Sequence, residues 1–268
     1  MTEEQVKTLR RRYSGHDWTP ISIGCSGALV YRLDGATDLF VKLGGLTNRH
    51  DAGYDLGAEA ERLRWLAKVG IPTPEVVEYD VSDDCAWLVT TAVPGRSGAE
   101  HWPADQRINV IDALADFTRT LHDLPIEDCP YERNLAVIMP AAEHAVRQHL
   151  VDLDRLDPAY VGWTPQQLLD ELFATVPTSE DLVVCHGDLC LPNVLLDPDT
   201  FTVTGLVDVG RLGMADQYSD LALATRSITS AQNPQYGVHH AERYLTRYGI
   251  EQADTNRVTF YRLLDQFF

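Results

Sequence analysis

Between residues 183 and 213 the chain reads VVCHGDLCLPNVLLDPDTFTVTGLVDVGRLG. Asp188, Asn193 and Asp208 stand there at the ends of short apolar runs that have the composition of strands. Two carboxylates and a carboxamide offer hard oxygen ligands to a divalent cation such as Mg²⁺, with one carboxylate left to take a proton. Phosphoryl transfer has these needs, because it asks a protein for positioning and charge management more than for covalent chemistry. Asp188 is the candidate catalytic base; Asn193 and Asp208 are candidate magnesium ligands. The ordinary reading of His186 is a hydrogen-bonded loop histidine, since Asp188 already supplies the base.

These residues need rigid elements behind them. After Trp18, the runs ISIG, ALVYRL and DLFVKL are rich in β-branched and aromatic residues and are broken by Gly and Asp-Gly turns, which predicts a small antiparallel sheet. The stretch 57–70 predicts a helix with Leu63, Leu66 and Ala67 on one face, closed by Gly70 and Pro72. EVVEYD and AWLVTTA predict two more strands. From residue 103 the period becomes helical, with Ile108, Ile111, Leu114, Ala115, Thr118, Leu121 and His122 in step. Further helices are expected at 132–150, 165–176, 216–229, 239–248 and 254–267. The expected fold is α+β in two lobes, a strand-rich lobe over 1–93 and a helix-rich lobe over 94–268.

Composition bounds the function classes. The chain has 268 residues, enough for one large domain or two lobes with a core. It lacks an apolar run of membrane-spanning length, and MTEEQVKTLRRRY lacks the apolar segment of a secretory signal, so a cytoplasmic location is expected. Its five cysteines show no CxxC spacing, so reduced thiols are expected rather than a disulfide framework or zinc site. The formal charge of −18 disfavours nucleic acid and anionic membrane as partners and favours cations. GxxxxGK[ST], HExxH, GxSxG and strand-GxGxxG-helix patterns are all missing, which removes the commonest nucleotide-hydrolase, zinc-protease, serine-hydrolase and dinucleotide readings.

The spacing in HGDLCLPN is similar to the catalytic loop that protein kinases write as H-R-D-x-x-x-x-N. DLFVKLGG places Lys42 on the third predicted strand, as the kinase V-A-I-K does, where the lysine holds the α- and β-phosphates of ATP. Glu59, in the following helix, is its candidate partner. The turn GCSG (24–27) departs from the kinase glycine-rich pattern, yet Ser26 and the amides around Gly27 are candidate phosphate contacts; a plain hairpin loop would read the same.

HGDLCLPNVLLDP together with GLVDVGRLGMADQYSDLALATRS closely resembles the aminoglycoside phosphotransferases, kinase relatives that inactivate antibiotics. The likeness continues through DWTPISIGCSGALVYRL, AEAERLRWLAKVGIPTPEVVE, WLVTTAVPG and LHDLPIEDCPYER. The terminal FYRLLDQFF is most similar to the branch acting on the 3′-hydroxyl of kanamycin and neomycin. The resemblance implies a protein-kinase-like fold, ATP and Mg²⁺ as cofactors, and a cationic aminoglycoside as partner for a monomer or weak dimer. It also implies adenine contacts through the backbone of Thr91 and Val93, and a substrate side built from Asp157, Arg211, Arg226, Asp265 and the Phe268 carboxylate.

Pro158, Ala159, Ser227 and Gln266 stand where members of that branch often carry acids, which bears on affinity and drug range. Under this resemblance the acidity of the chain has a use, since aminoglycosides are polyamines. The alternatives are the same chemistry on another hydroxyl, such as the 3″ position of streptomycin, a metabolite or a macrolide, and a pseudokinase that transfers nothing. The intact set Lys42, Asp188, Asn193 and Asp208 argues against the last.

Overall fold

A computed structural model describes residues 3–21, 28–45, 55–82 and 85–268. The chain forms two compact units, Met1–Pro94 with Thr204–Gly210, and Gly95–Val203 with Arg211–Phe268. Thr204–Gly210, which the sequence boundary at 93/94 leaves in the second lobe, clusters with the first. Leu206 N–H donates to the Pro72 carbonyl at 3.0 Å, and a Cβ on Gly205 would collide with the Val93 side chain.

In the first unit, helix α1 (Glu3–Arg12) precedes strands β1 (Asp17–Ile21), β2 (Leu29–Asp34) and β3 (Leu39–Gly45). Helix α2 (Leu56–Lys68) and strands β4 (Val76–Ser82) and β5 (Cys85–Thr91) follow. The strands make an antiparallel sheet in the order β1-β2-β3-β5-β4. Two differences from expectation stand out. The first strand starts at Asp17, ahead of ISIG, and α1 has no counterpart in the sequence reading. That helix is mostly charged, and Leu9 alone of its described side chains is buried, against Leu33, Leu39, Val41, Leu43, Cys85 and Val89.

Alternation in β3 explains how the sheet presents chemistry. Leu39, Val41 and Leu43 face the core, so Phe40 and Lys42 lie on the opposite face. Asp55 caps α2 by accepting from the N–H groups of Gly57 and Ala58, and Gly70 beyond its end has φ +82°, where glycine is favoured. Leu56, Ala60, Leu63 and Leu66 fill the buried face; Ala67 is exposed.

The second unit opens with β6 (Arg96–Ser97), α3 (Arg107–His122), α4 (Leu135–Arg147) and α5 (Pro165–Ala174). It continues through β7 (Leu182–Cys185) and β8 (Val194–Leu196), and the chain leaves along β9 (Val203–Leu206). It returns as β10 (Gly213–Asp216), α6 (Tyr218–Thr229), α7 (Val238–Tyr248) and α8 (Thr255–Leu264). All six helices lie at or within a few residues of the periodic segments expected from sequence. β7 pairs antiparallel with β10, and β6 with β8. At the end of β10, buried Asp216 accepts from Asp181 N, Tyr218 N and the Arg257 guanidinium at 2.6–2.9 Å. Among the described residues no helix is long and apolar enough to cross a membrane.

The first unit's core depends on a few fully buried side chains, and Leu33 is one of them. Leu33→Ala should destabilise the protein by about 2–5 kcal/mol. Urea unfolding followed by tryptophan fluorescence checks this; an unchanged midpoint would mean that the site collapses without cost.

Candidate functional site

In the first unit the sheet and α2 converge on one lysine. Lys42 on β3 donates from Nζ to Glu59 Oε1 at 2.7 Å and to Asp208 Oδ1 at 3.0 Å. Glu59 is buried on α2, where an unpaired carboxylate would be costly, so the lysine is its structural counter-ion. Burial alone would lower the Lys42 pKa, but the charges and hydrogen bonds of Glu59 and Asp208 outweigh it and hold the ammonium above the ordinary lysine value. Asp208 is far more open, with a side chain 45% exposed against 5% for Glu59. Its backbone sits at φ +61°, a left-handed conformation unusual for a residue with a Cβ, and such strain gathers at functional positions.

The remaining nucleotide-side expectations fare unevenly. Ser26 lies outside the described residues. Thr91 ends β5, and its N–H is committed to the Glu75 carbonyl at 3.0 Å while its hydroxyl accepts from Glu75 N at 2.9 Å. Val93 packs closely against Gly205.

In the second unit β7 delivers the buried residues Val184 and Cys185 and then His186, Gly187 and Asp188. His186 is fully buried, and its Nδ1 accepts from Asp188 N–H at 3.1 Å, so it organises the loop. Gly187 has φ +81°, and a Cβ there would overlap the Arg211 carbonyl. Asn193, also buried, closes the loop by donating from Nδ2 to the Asp188 carbonyl at 2.9 Å. Its carboxamide oxygen is thereby left as the atom to offer a cation. The Leu191 N–H donates to Ser227 Oγ at 3.0 Å, which ties the turn before Asn193 to α6.

Asp220 was missed from the sequence, where only its segment was noted. It lies in the first turn of α6, is fully buried, and accepts from the backbone N–H of His186 (2.7 Å) and of Gly187 (2.8 Å). Burial pushes its pKa up, but hydrogen bonds and charge from His122 and His186 prevail and hold it below the usual aspartate value. The available signal was an acid inside YSDLALAT, a stretch otherwise apolar enough to be core.

The five expected substrate-side residues all fall in this second unit, and the structure links them. Arg211 donates to Asp265 at 3.1 Å, and Arg226 bridges Asp265 and Asp157, the latter at 3.3 Å. Burial would lower the Arg226 pKa, but those two carboxylates raise it. The Phe268 ring lies under the guanidinium groups of Arg133 and Arg211, at 5.5 and 5.9 Å. Sequence reading grouped these residues and missed that the two aspartates are already paired with arginines. Gln266 fastens the set, accepting from Asp157 N at 2.7 Å and donating to Asp157 Oδ2 at 3.4 Å and to the Arg262 carbonyl at 2.9 Å. Two of the positions read as departures, Ser227 and Gln266, thus hold structure together, and Pro158 and Ala159 lie in a short 3₁₀ turn, Pro158–Tyr160.

The family model described as "Phosphotransferase enzyme family" matches residues 17–259. The aminoglycoside 3′-phosphotransferase of Streptomyces fradiae is 50% identical over 265 residues, covering 97% of this chain and 98% of that protein. The crystal structure of an aminoglycoside-3′-phosphotransferase of type VIII superposes with a TM-score of 0.91 at 49% identity, covering 99% of this chain and 98% of the other. The aminoglycoside phosphotransferase APH(3″)-Id of Streptomyces rimosus, solved with ADP and streptomycin, superposes at 0.80 with 32% identity over 100% of this chain and 99% of the other.

The left-handed Gly187 makes the loop vulnerable at one atom. Gly187→Ala should lose about 1–3 kcal/mol from backbone strain alone, and more from the overlap with the Arg211 carbonyl. Chemical denaturation and turnover measured together test this; wild-type values in both would show that the loop accepts a side chain there.

Proposed function

This chain belongs to the phosphotransferase enzyme family, and we propose that it transfers the γ-phosphoryl group of ATP to the 3′-hydroxyl of aminoglycoside antibiotics of the kanamycin and neomycin class, giving resistance to them. The observation that supports the chemistry is the pairing of Lys42 with buried Glu59 and open Asp208 in the first unit; in the second, the loop carrying Asp188 and Asn193 is closed by the Asn193–Asp188 hydrogen bond. The preference for the 3′ position rests on identity, 50% with a 3′-phosphotransferase against 37% with a streptomycin 3″-kinase.

The residues fit a magnesium nucleotide. Asp208 and Asn193 present hard oxygens from a carboxylate and a carboxamide, the donor set that such a cation accepts. Magnesium, when bound, offsets the negative charge of the phosphates. Lys42 holds the α- and β-phosphates, and its bond to Glu59 keeps it from swinging away while the more exposed bond to Asp208 is the exchangeable one. Asp188 would take the proton from the acceptor hydroxyl as its oxygen bonds to the γ-phosphorus and the bond from that phosphorus to the β-phosphate oxygen breaks, ADP being the leaving group. The backbone of Val93 and the carbonyl of Thr91 would meet the adenine, the Thr91 N–H being held by Glu75. Asp157, Asp265 and the Phe268 carboxylate, with Arg211 and Arg226, orient the drug so that one hydroxyl reaches Asp188.

Asp188→Ala should leave nucleotide binding nearly intact and lower kcat by about a hundredfold or more, the scale of a lost general base. Turnover within about threefold of wild type on that same scale would remove Asp188 from the mechanism. Asp208→Asn should shift the magnesium titration to higher concentration and slow the reaction, because a neutral oxygen replaces a charged ligand. An unchanged titration assigns Asp208 a turn role only.

The 3′ assignment is tested by a substrate that lacks the acceptor oxygen. Kanamycin should be phosphorylated, while tobramycin, which has similar amines and no 3′-hydroxyl, should inhibit competitively without turnover. Phosphorylated tobramycin, or streptomycin preferred over kanamycin, would transfer the assignment to the 3″ position.

A further inference from the structure

The turn that carries Asn193 has few hydrogen bonds of its own. Leu191–Asn193 is a single 3₁₀ turn between the Asp188 loop and β8, with Leu191 and Asn193 buried and Pro192 exposed. Pro192 has no N–H, so the peptide before it can be held only through the Leu191 carbonyl. The peptide after it carries the Pro192 carbonyl and the Asn193 N–H, and the latter closes back on the Cys190 carbonyl at 3.0 Å. Pairing with β6 starts just beyond the turn, where Ser97 stands opposite Leu195 and the Gly98 N–H donates to the Val194 carbonyl at 2.9 Å.

One side chain reaches back from that ladder to the turn. Ser97, 94 residues before Leu191 in the chain, donates from Oγ to the Leu191 carbonyl at 3.2 Å and to the Pro192 carbonyl at 3.3 Å. The same oxygen accepts from the Ala99 N–H at 3.1 Å. A hydroxyl has one proton, so the two carbonyls share it. Among the described residues no other side chain donates to either carbonyl. From the opposite side the Leu191 N–H goes to Ser227 on α6, whose carbonyl accepts from buried Asn233 Nδ2 at 2.8 Å. Ser227 therefore fixes the entry to the turn, and Ser97 its crest and exit.

Ser97 is itself held in place. Its N–H donates to Glu100 Oε1 and its carbonyl accepts from Nε1 of fully buried Trp102, each at 3.0 Å. The Arg96 guanidinium covers the Trp102 ring at 4.5 Å. Gly98 lets this strand approach the turn, since a Cβ there would stand 3.1 Å from the Leu191 carbonyl oxygen. The Gly98 carbonyl accepts from the hydroxyl of buried Tyr236 at 2.9 Å.

We propose that Ser97 is a positioning residue for magnesium: its hydroxyl clamps the peptides on both sides of Pro192 and so sets the direction in which the Asn193 carboxamide oxygen is offered to the metal. Asn193 Nδ2 is anchored on the Asp188 carbonyl at 2.9 Å, so a tilt of the Pro192–Asn193 peptide is passed to the oxygen of the same amide. Partners behind a metal ligand act in this way, by orienting it. The inference rests on the phosphotransferase reading, in which Asn193 is a magnesium ligand.

The test reads metal affinity apart from turnover. ADP is titrated calorimetrically into the full-length wild type, Ser97→Ala and Ser97→Thr, without magnesium and at a series of magnesium concentrations. Ser97→Ala should need about tenfold more magnesium to reach half of the metal's effect on ADP binding, the low end of the scale for a lost partner behind a metal ligand. Its ADP affinity without magnesium should stay within about twofold of wild type, because the change acts through the metal ligand alone. Ser97→Thr keeps the hydroxyl on a residue suited to a strand and should restore the wild-type magnesium requirement. A Ser97→Ala protein with the wild-type requirement overturns the proposal, as does a Ser97→Thr protein as impaired as Ser97→Ala. An equal loss of ADP affinity with and without magnesium makes Ser97 a general prop of the fold and overturns it as well. A wild type whose ADP binding is indifferent to magnesium sinks the reading of Asn193 as a metal ligand. That failure shows in the unaltered protein, whereas a failure of the Ser97 role shows only in the variants.

Discussion

Burying a carboxylate costs several kilocalories per mole unless its lone pairs meet donors and its charge meets a partner, and Asp220 is buried completely. Much of the second unit follows from satisfying that one group. Its two oxygens reach the consecutive amides of His186 and Gly187, and pointing two successive N–H groups at one carboxylate bends the chain into the left-handed conformation at Gly187. The bend delivers Asp188 immediately afterwards, with its own N–H spent on His186 Nδ1 and its carbonyl on Asn193. The loop is thus held largely through its backbone, and the Asp188 carboxylate itself meets the Asn193 amide at 3.4 Å.

The first unit meets a similar problem and solves it with a difference in exposure. Glu59 is as closely buried as the second unit's anchors, and Lys42 neutralises it at 2.7 Å. The other partner of the lysine, Asp208, is nearly half exposed and held by a strained backbone at the end of a short segment. A bond to a buried carboxylate is hard to replace, because breaking it strands a charge; a bond to an open one exchanges with solvent and ligands at little cost. One lysine therefore has a fixed side and a changeable side, as its proposed role at the nucleotide phosphates would require.

The parts of this arrangement that were legible in the sequence are those written in local spacing. Asp188 and Asn193 share one loop, Lys42 takes its face from strand alternation, and the helices of the second unit follow from apolar residues at intervals of three and four. What stayed hidden depends on partners far apart in the chain. α1 is mostly charged and gives the core Leu9 alone among its described side chains, too little for a periodic signal. Asp220 carries no spacing relation to His186, and nothing in LHDLP says that His122 will face it. The return of Thr204–Gly210 to the first unit is likewise a matter of contacts, with Pro72 and Val93, that contiguous reading cannot supply.

The acidity of the chain has to be divided in the same manner. A net charge of −18 acts over the whole surface and attracts polycations within a screening distance of about 8–10 Å at ordinary salt. At the proposed substrate side the acids are partly neutralised, because Asp157 and Asp265 face Arg211 and Arg226 while the Phe268 carboxylate adds a third negative charge. A drug ammonium arriving there would not meet bare carboxylates at Asp157 or Asp265. It either competes with Arg226, which already bridges both, or adds to carboxylate oxygens that the arginine leaves open. The long-range field can gather aminoglycosides without choosing among them; under the proposed assignment of Asp157 and Asp265 to the drug side, the choice would fall to the bridged pair, whose geometry Gln266 sets by holding the Asp157 backbone and side chain together. Attraction and discrimination therefore reside in different sets of acids, and a neutral amide at 266 serves the second by doing what a carboxylate could not, donating to one acceptor while accepting from another.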